Sequence, residues 1–218
     1  MKATGVFRGA LYKELSKSKL LKLQALVLFF TTYIDWVIMP FIAKLEGLYL
    51  PVFMISLYML IGAADGLIQP LFKKVKIHHI YLFVIILDLI QIGSYALAWS
   101  DIIIFTYAIL SIFTLQAITF EISRVHTVDF MKEEIEIKEY LILRSFIVSV
   151  AIIAGALSAM ILDYFRVKLE ITLAILAGLG IFAVVIEYKL YTKLKKIVQN
   201  GETIIEKQKN LFNEKISL

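Results

Sequence analysis

Three aspartates, Asp35, Asp65 and Asp88, stand inside long apolar stretches of this 218-residue chain. A carboxylate within a membrane helix costs at least about 2.5 kcal/mol, so it needs a partner, water or a purpose; a common purpose is to take up a proton or a cation. All three are therefore candidate coupling or substrate-contact residues, and Asp35 is the favoured one. Thr31 and Thr32 sit one turn before it, and Pro40 follows where it can bend the helix. Asp65 and Gln69 share a helical face suited to a gating hydrogen bond to helix four or five; Asp88 and Gln91 share a face of the third stretch, which Tyr95 extends by one turn. Each also has a structural reading. Asp35 can be an acid hydrogen-bonded to a threonine or tyrosine of a neighbouring helix. Asp65 can cap a helix disturbed by Gly62, Gly66 and Pro70, and Asp88 can face inward or mark a dimer contact.

Three further charged residues gather at one membrane boundary. Glu121 and Arg124 are three residues apart on one face, and Arg144 begins the next apolar stretch from the same side. They predict a gate or ion-pair cluster, either permanent or remade during a working cycle. The pair His78–His79 and the lone His126 have no carboxylate at ligand spacing, so no metal site is expected. No cysteine is present, which removes disulfides, thiolate sites and cysteine nucleophiles. There is no glycine-rich nucleotide loop, no paired-histidine protease motif and no serine elbow. Two-aspartate chemistry at Asp65 and Asp88 lacks the flanking residues of an intramembrane protease. No catalytic residue, cofactor or nucleic-acid partner is expected, and the chain does not read as an enzyme.

The elements that must carry these residues are six apolar stretches, at about 23–43, 48–71, 80–98, 102–120, 142–162 and 169–188. A hydrocarbon core of roughly 30 Å needs about 20 helical residues, so each is long enough to cross it. With 60% apolar residues and a mean hydropathy of +0.83, the chain is predicted to be an all-α, polytopic membrane protein. Its parts are an N-terminal arm (1–22), a six-helix transmembrane domain (23–190) and a polar tail (191–218) that is part helical and broken near Asn200–Gly201. The arm lacks the uninterrupted apolar core of a cleaved signal peptide, so the first helix is expected to be retained. Short outer connections predict three antiparallel hairpins. The longer, acidic connection from about Glu121 to Tyr140 is predicted to hold a surface helix. Ala151, Gly155 and Ala159, and likewise Ala174 and Gly178, repeat every four residues, the spacing of close helix contacts in lipid. Tyr and Trp residues near the helix ends suit an aromatic belt.

Charge orients the bundle. Lys and Arg number six in the N-terminal arm, three at Lys73–Lys76, four between Arg124 and Arg144, and seven from Lys189 onward. Those twenty lie on one side, against Lys44, Arg166 and Lys168 on the other, so both termini are expected to be cytoplasmic. High Ile and Lys content points to a bacterial inner membrane.

The segment from Glu121 to Leu162, EISRVHTVDFMKEEIEIKEYLILRSFIVSVAIIAGALSAMIL, resembles the fourth-to-fifth helix region of major facilitator superfamily transporters. The family's helix-four arginine would be Arg124, its acidic loop Glu133–Glu139, the polar opening of helix five Arg144–Ser145, and its packing glycine Gly155. The basic connection Lys73–Lys74–Val75–Lys76 also fits its amino-terminal half. One departure is that Gly66 is followed by Pro70 and Lys73, and the nearby Asp65 lies deeper than the family's loop aspartate. The full fold has twelve helices in two halves with solute bound between them. The resemblance thus implies half of a secondary transporter that moves a small solute by alternating access. Helices one, two, four and five would line the path, and a homodimer or a second six-helix half would complete it. The alternatives are a non-transport membrane protein, such as an immunity, regulatory or assembly partner, and an inactive truncated transporter.

Overall fold

A computed structural model of the protein describes residues 18–46, 75–131 and 136–216. Among them are five α-helices: α1 (Lys19–Glu46), α2 (Ile77–Ser94), α3 (Ile102–Met131), α4 (Ile137–Tyr164) and α5 (Leu169–Ile216). A 3-10 turn, Tyr95–Trp99, finishes α2, and there is no strand among the described residues. Four helical segments are long and apolar enough to cross a membrane: Lys19–Ile42, Ile77–Trp99, Lys138–Tyr164 and Leu169–Asn200. The apolar part of α3, Ile104–Gln116, is shorter. The protein is thus all-helical, and its four long apolar helices fit a multi-pass membrane protein. The second predicted span, 48–71, and Asp65 within it lie outside the described residues.

Local sequence explains several boundaries. Ser18 accepts at Oγ from the backbone N–H of Leu20 and Leu21 (3.2 and 3.4 Å), capping α1. Asp101 does the same for α3, accepting from the Ile104 N–H at 3.1 Å. At the end of α4, Val167 N–H donates to Leu162 O and Arg166 N–H to Asp163 O, both at 2.9 Å. This is a Schellman turn, whose left-handed position is usually glycine. Here Arg166 holds it at φ 51°. Arg166→Gly is therefore expected to stabilise the fold by about 0.5–1 kcal/mol, read as a raised Tm in detergent; a lowered Tm would mean that the arginine side chain contributes more than the strain costs.

Three boundaries differ from expectation. The fourth helix does not stop near Glu121 with a separate surface helix after it; α3 runs on to Met131, and α4 restarts at Ile137. Helix-forming residues without a breaker carry it through. Asn200–Gly201 does not break the last helix either. One glycine costs only about 1 kcal/mol in a helix interior, too little to stop one long run, and α5 extends about 72 Å over its 48 residues. The third difference concerns pairing. Although a short turn joins α4 to α5, α4 packs chiefly on α1, and α5 packs about equally on α1 and α2, so α1 lies between the two and this pair is not the expected hairpin. Further round, α5 packs on α2 and α2 on α3, while α3 touches α4 only lightly.

Two apolar clusters fill the bundle. One gathers Ile34, Val37, Ile38, Tyr95, Phe105 and Phe113 with Leu173 and Leu176; the other gathers Leu20, Leu21, Tyr81, Tyr140 and Leu143 with Leu190 and Leu194. The small residues of α4 bring it close to α1: Ala151 and Ala159 are buried, and a Cβ on Gly155 would lie 2.8 Å from the Tyr33 carbonyl oxygen. Tyr33 OH and Ser158 Oγ hydrogen-bond across the same seam at 2.9 Å. The α5 repeat does otherwise. Ala174 and Gly178 face outward, and a Cβ on Gly178 would meet nothing within 4 Å. It is Gly180, two residues on, that admits a neighbour, since its Cβ would lie 2.9 Å from Ile92 Cγ1.

Candidate functional site

Between the two apolar clusters lies a polar layer. Asp35 comes from α1, Asp88 and Gln91 from α2, Gln116 from α3 and Glu187 from α5. Asp88, Gln91 and Tyr95 stand at i, i+3 and i+7, so one stripe of α2 faces the bundle axis. On α5 the buried face runs Leu173, Leu176, Gly180, Ala183, Glu187, Leu190, Leu194, which places Glu187 at a core position.

Hydrogen bonds tie the layer together. Gln91 Nε2 donates to Asp35 Oδ1 at 3.3 Å and to Tyr95 OH at 3.0 Å. Gln116 Nε2 donates to Asp88 Oδ1 at 2.8 Å and to Gln91 Oε1 at 2.5 Å. Asp88 and Glu187 are neighbouring buried acids across the α2–α5 seam, each acting on the other. Glu187 is wholly buried, and with both acids ionised neither of its oxygens, nor Asp88 Oδ2, has a donor to accept from. Three carboxyls from three helices thus share one layer, Asp35 acting on Asp88 and Asp88 on Glu187, and among the described residues the hydrogen-bond donors to them are two glutamine amides.

A cavity of about 20 Å³ adjoins the layer, lined by Thr31, Asp35, Asp88, Gln91, Tyr95 and Gly180 among others. It has room for about one water molecule. Toward the other end of the bundle lies a second polar group. Gln24 Nε2 donates to Tyr140 OH at 2.6 Å and to Tyr81 OH at 3.4 Å, and Tyr81 OH meets Thr127 Oγ1 at 3.3 Å.

Of the residues expected from sequence, Asp35 and Asp88 are brought into one network through Gln91 and Gln116. Asp88 faces inward, toward α3 and α5. Asp65 lies outside the described residues, and so do the side chains of Glu121 and Arg124 on α3, so their pairing with Arg144 is not described. Arg144 stands one turn after Tyr140 on α4, near the tyrosine group. The layer is built by predicted spans one, three, four and six, where the sequence pointed to one, two, four and five as path-lining helices. Sequence reading did not single out Glu187 or Gln116. The signal for Glu187 is its spacing: seven residues after Gly180 and seven before Leu194, it keeps the period of the buried face.

Comparison with family models, with curated proteins and with solved structures finds no match to this chain.

Proposed function

We propose that this chain is a secondary membrane transporter, or half of one, that moves a small solute by alternating access and couples it to a proton or a cation. One observation carries the reading: Asp35 and Asp88, bridged by the Gln91 and Gln116 amides, share a buried layer of a largely apolar bundle with Glu187 from a third helix. Ionisable groups held in a membrane interior are costly unless they serve ion movement or find partners, and here the partners are mostly other acids. The pattern between Glu121 and Leu162 supports a facilitator-like half, with a homodimer or a second six-helix chain as partner. Twenty basic residues against three support six crossings with both termini in the cytoplasm of a bacterial cell.

The experiment is reconstitution. Vesicles containing the protein and a pH-sensitive dye are placed under a proton gradient and offered cationic, anionic and neutral solutes in turn. A transported solute is expected to dissipate the gradient, and Asp35→Asn is expected to reduce that flux at least tenfold. Flux unchanged in Asp35→Asn would remove Asp35 from the coupling role, and a gradient indifferent to every solute would remove the transporter.

A second reading has its own support. The cavity that adjoins the acid layer among the described residues has room for about one water molecule, which suits a non-transport membrane protein on the same scaffold, such as an immunity, regulatory or assembly partner. Crosslinking in native membranes, read together with the flux, separates the two: a homodimer or a captured second six-helix chain with solute-driven flux favours the transporter, and a captured membrane protein of another kind without flux favours the partner.

A further inference from the structure

We propose that Asp88 and Glu187 hold one exchangeable proton between their carboxyls, that this proton pins α2 to α5, and that the adjoining one-water cavity is where it arrives. The inference rests on the acid layer being the coupling centre and names the coupled ion as a proton.

The geometry is that of an acid pair short of donors. Asp88 Oδ1 is occupied by Gln116 Nε2 at 2.8 Å. Its Oδ2 and both Glu187 oxygens have no hydrogen-bond partner. The α2–α5 seam brings the two acids together: Ile92 packs against Gly180, Asp88 lies one turn before Ile92, and Glu187 lies two turns after Gly180 on the helix running the other way, so the two carboxyls are neighbours that act on each other. Two carboxylates cannot hydrogen-bond without a proton between them, and in a buried site their like charges repel. Asp88 also lines the cavity, so a water there reaches the pair directly. The step is balanced: hydronium in the cavity gives its proton to a carboxylate oxygen and remains as water.

A metal cation fits this layer poorly. The N–H groups of Gln91 and Gln116 point at Asp35 Oδ1 and Asp88 Oδ1 and so take one oxygen of each acid from a cation, which leaves Asp88 Oδ2 and the Glu187 carboxyl, fewer oxygens than a hard cation takes. No group of three or more His, Asp or Glu among the described residues is placed to hold a metal ion. Among the described residues, the titratable groups nearest the pair are Asp35 on α1, Tyr81 on α2 and Tyr95 in the 3-10 turn that follows it, with Tyr140 and Arg144 of α4 beyond Tyr81; the described buried polar side chains of α3 there are the neutral Gln116, Thr119 and Thr127.

Infrared spectroscopy of the full chain in lipid films tests this without solute or gradient. The wild type is expected to show a protonated-carboxyl C=O band that shifts in D2O. Glu187→Gln and Asp88→Asn, each checked for helicity by circular dichroism, are each expected to lose it, because the new amide supplies the missing donor. Exchanging K⁺ for Na⁺ at constant pH is expected to leave it unchanged. A wild type with no such band overturns the inference and needs no variant to do so; a band that persists in both variants, or that Na⁺ abolishes, overturns it as well. Failure of the transporter reading is a separate result: no solute-driven proton flux with the band intact removes transport and leaves the shared proton, whereas flux without the band does the reverse.

Discussion

Replacing Gly155 with leucine is expected to separate α4 from α1 and to abolish the folded bundle. A Cβ at this position would stand 2.8 Å from the Tyr33 carbonyl oxygen, 2.9 Å from Trp36 Cβ and 3.3 Å from the Trp36 carbonyl carbon. Two of these three atoms are backbone, so no rotamer change relieves the clash and the helices must move apart. In lipid that movement is serious. Apolar side chains gain little by leaving lipid tails, so close packing and the hydrogen bonds it permits hold helices together. The Tyr33–Ser158 bond, one turn away, would go with the contact. Gly155→Ala is expected to cost about 1–3 kcal/mol, the usual range for overpacking. Gly93→Ala and Gly178→Ala serve as controls, because a Cβ at either meets nothing within 4 Å. Both are expected to be neutral or to gain up to about 1 kcal/mol of helix propensity. Thermal unfolding in detergent reads the series, and disulfide trapping between α1 and α4 reads the seam, with no native cysteine to interfere. A leucine variant that melts with the wild type would show that this seam does not hold the bundle.

Why Gly155 was legible from sequence and Glu187 was not is a matter of contrast. Small residues every four positions in an apolar run have few uses apart from close packing. On α5 the same spacing falls on Ala174 and Gly178, which face outward, while within the bundle it is Gly180 that packs against Ile92. Spacing marks a face, and only the neighbouring helices decide which face is turned inward. Asp35 and Asp88 stand out because each is flanked by apolar residues for several turns. Glu187 lies beside Tyr188 and Lys189, where the apolar run gives way to a polar tail, so composition reads it as a boundary residue. The helix continues straight through that boundary, and its buried face carries Glu187 between Ala183 and Leu190. Gln116 is neutral and disturbs an apolar run too little to be noticed, although it makes two of the bonds that join the layer. The wedge of α1 between α4 and α5 had no sequence signal at all. A short turn fixes where two helices meet at one end, but not which neighbour each packs against along its length.

The double substitution Asp88→Asn with Glu187→Gln is expected to raise the melting temperature and flatten its dependence on pH, while ending any proton coupling. In the wild type the pair has two states. With a proton it is a neutral hydrogen-bonded bridge between α2 and α5; without one it is two negative charges facing each other. At about 4 Å and an effective dielectric constant near 20, such charges repel by about 4 kcal/mol. Stability should therefore fall as pH rises and the proton is withdrawn. The two amides keep the size of both side chains, the one at position 88 still accepts from Gln116, and together they add N–H donors where Asp88 Oδ2 and the Glu187 oxygens now lack them. Buried charge exchanged for a satisfied neutral pair is commonly stabilising by about 1–4 kcal/mol, and groups retained against that gain are retained for what they do. The single variants bracket the effect: each supplies one donor to the remaining carboxylate and should fall between the wild type and the pair. Melting curves over a range of pH, with helicity followed by circular dichroism, measure it. A double variant that melts lower at every pH would show that the acids hold the bundle by packing and geometry alone, and α2 and α5 would then lack the proton-dependent contact on which a two-state carrier relies.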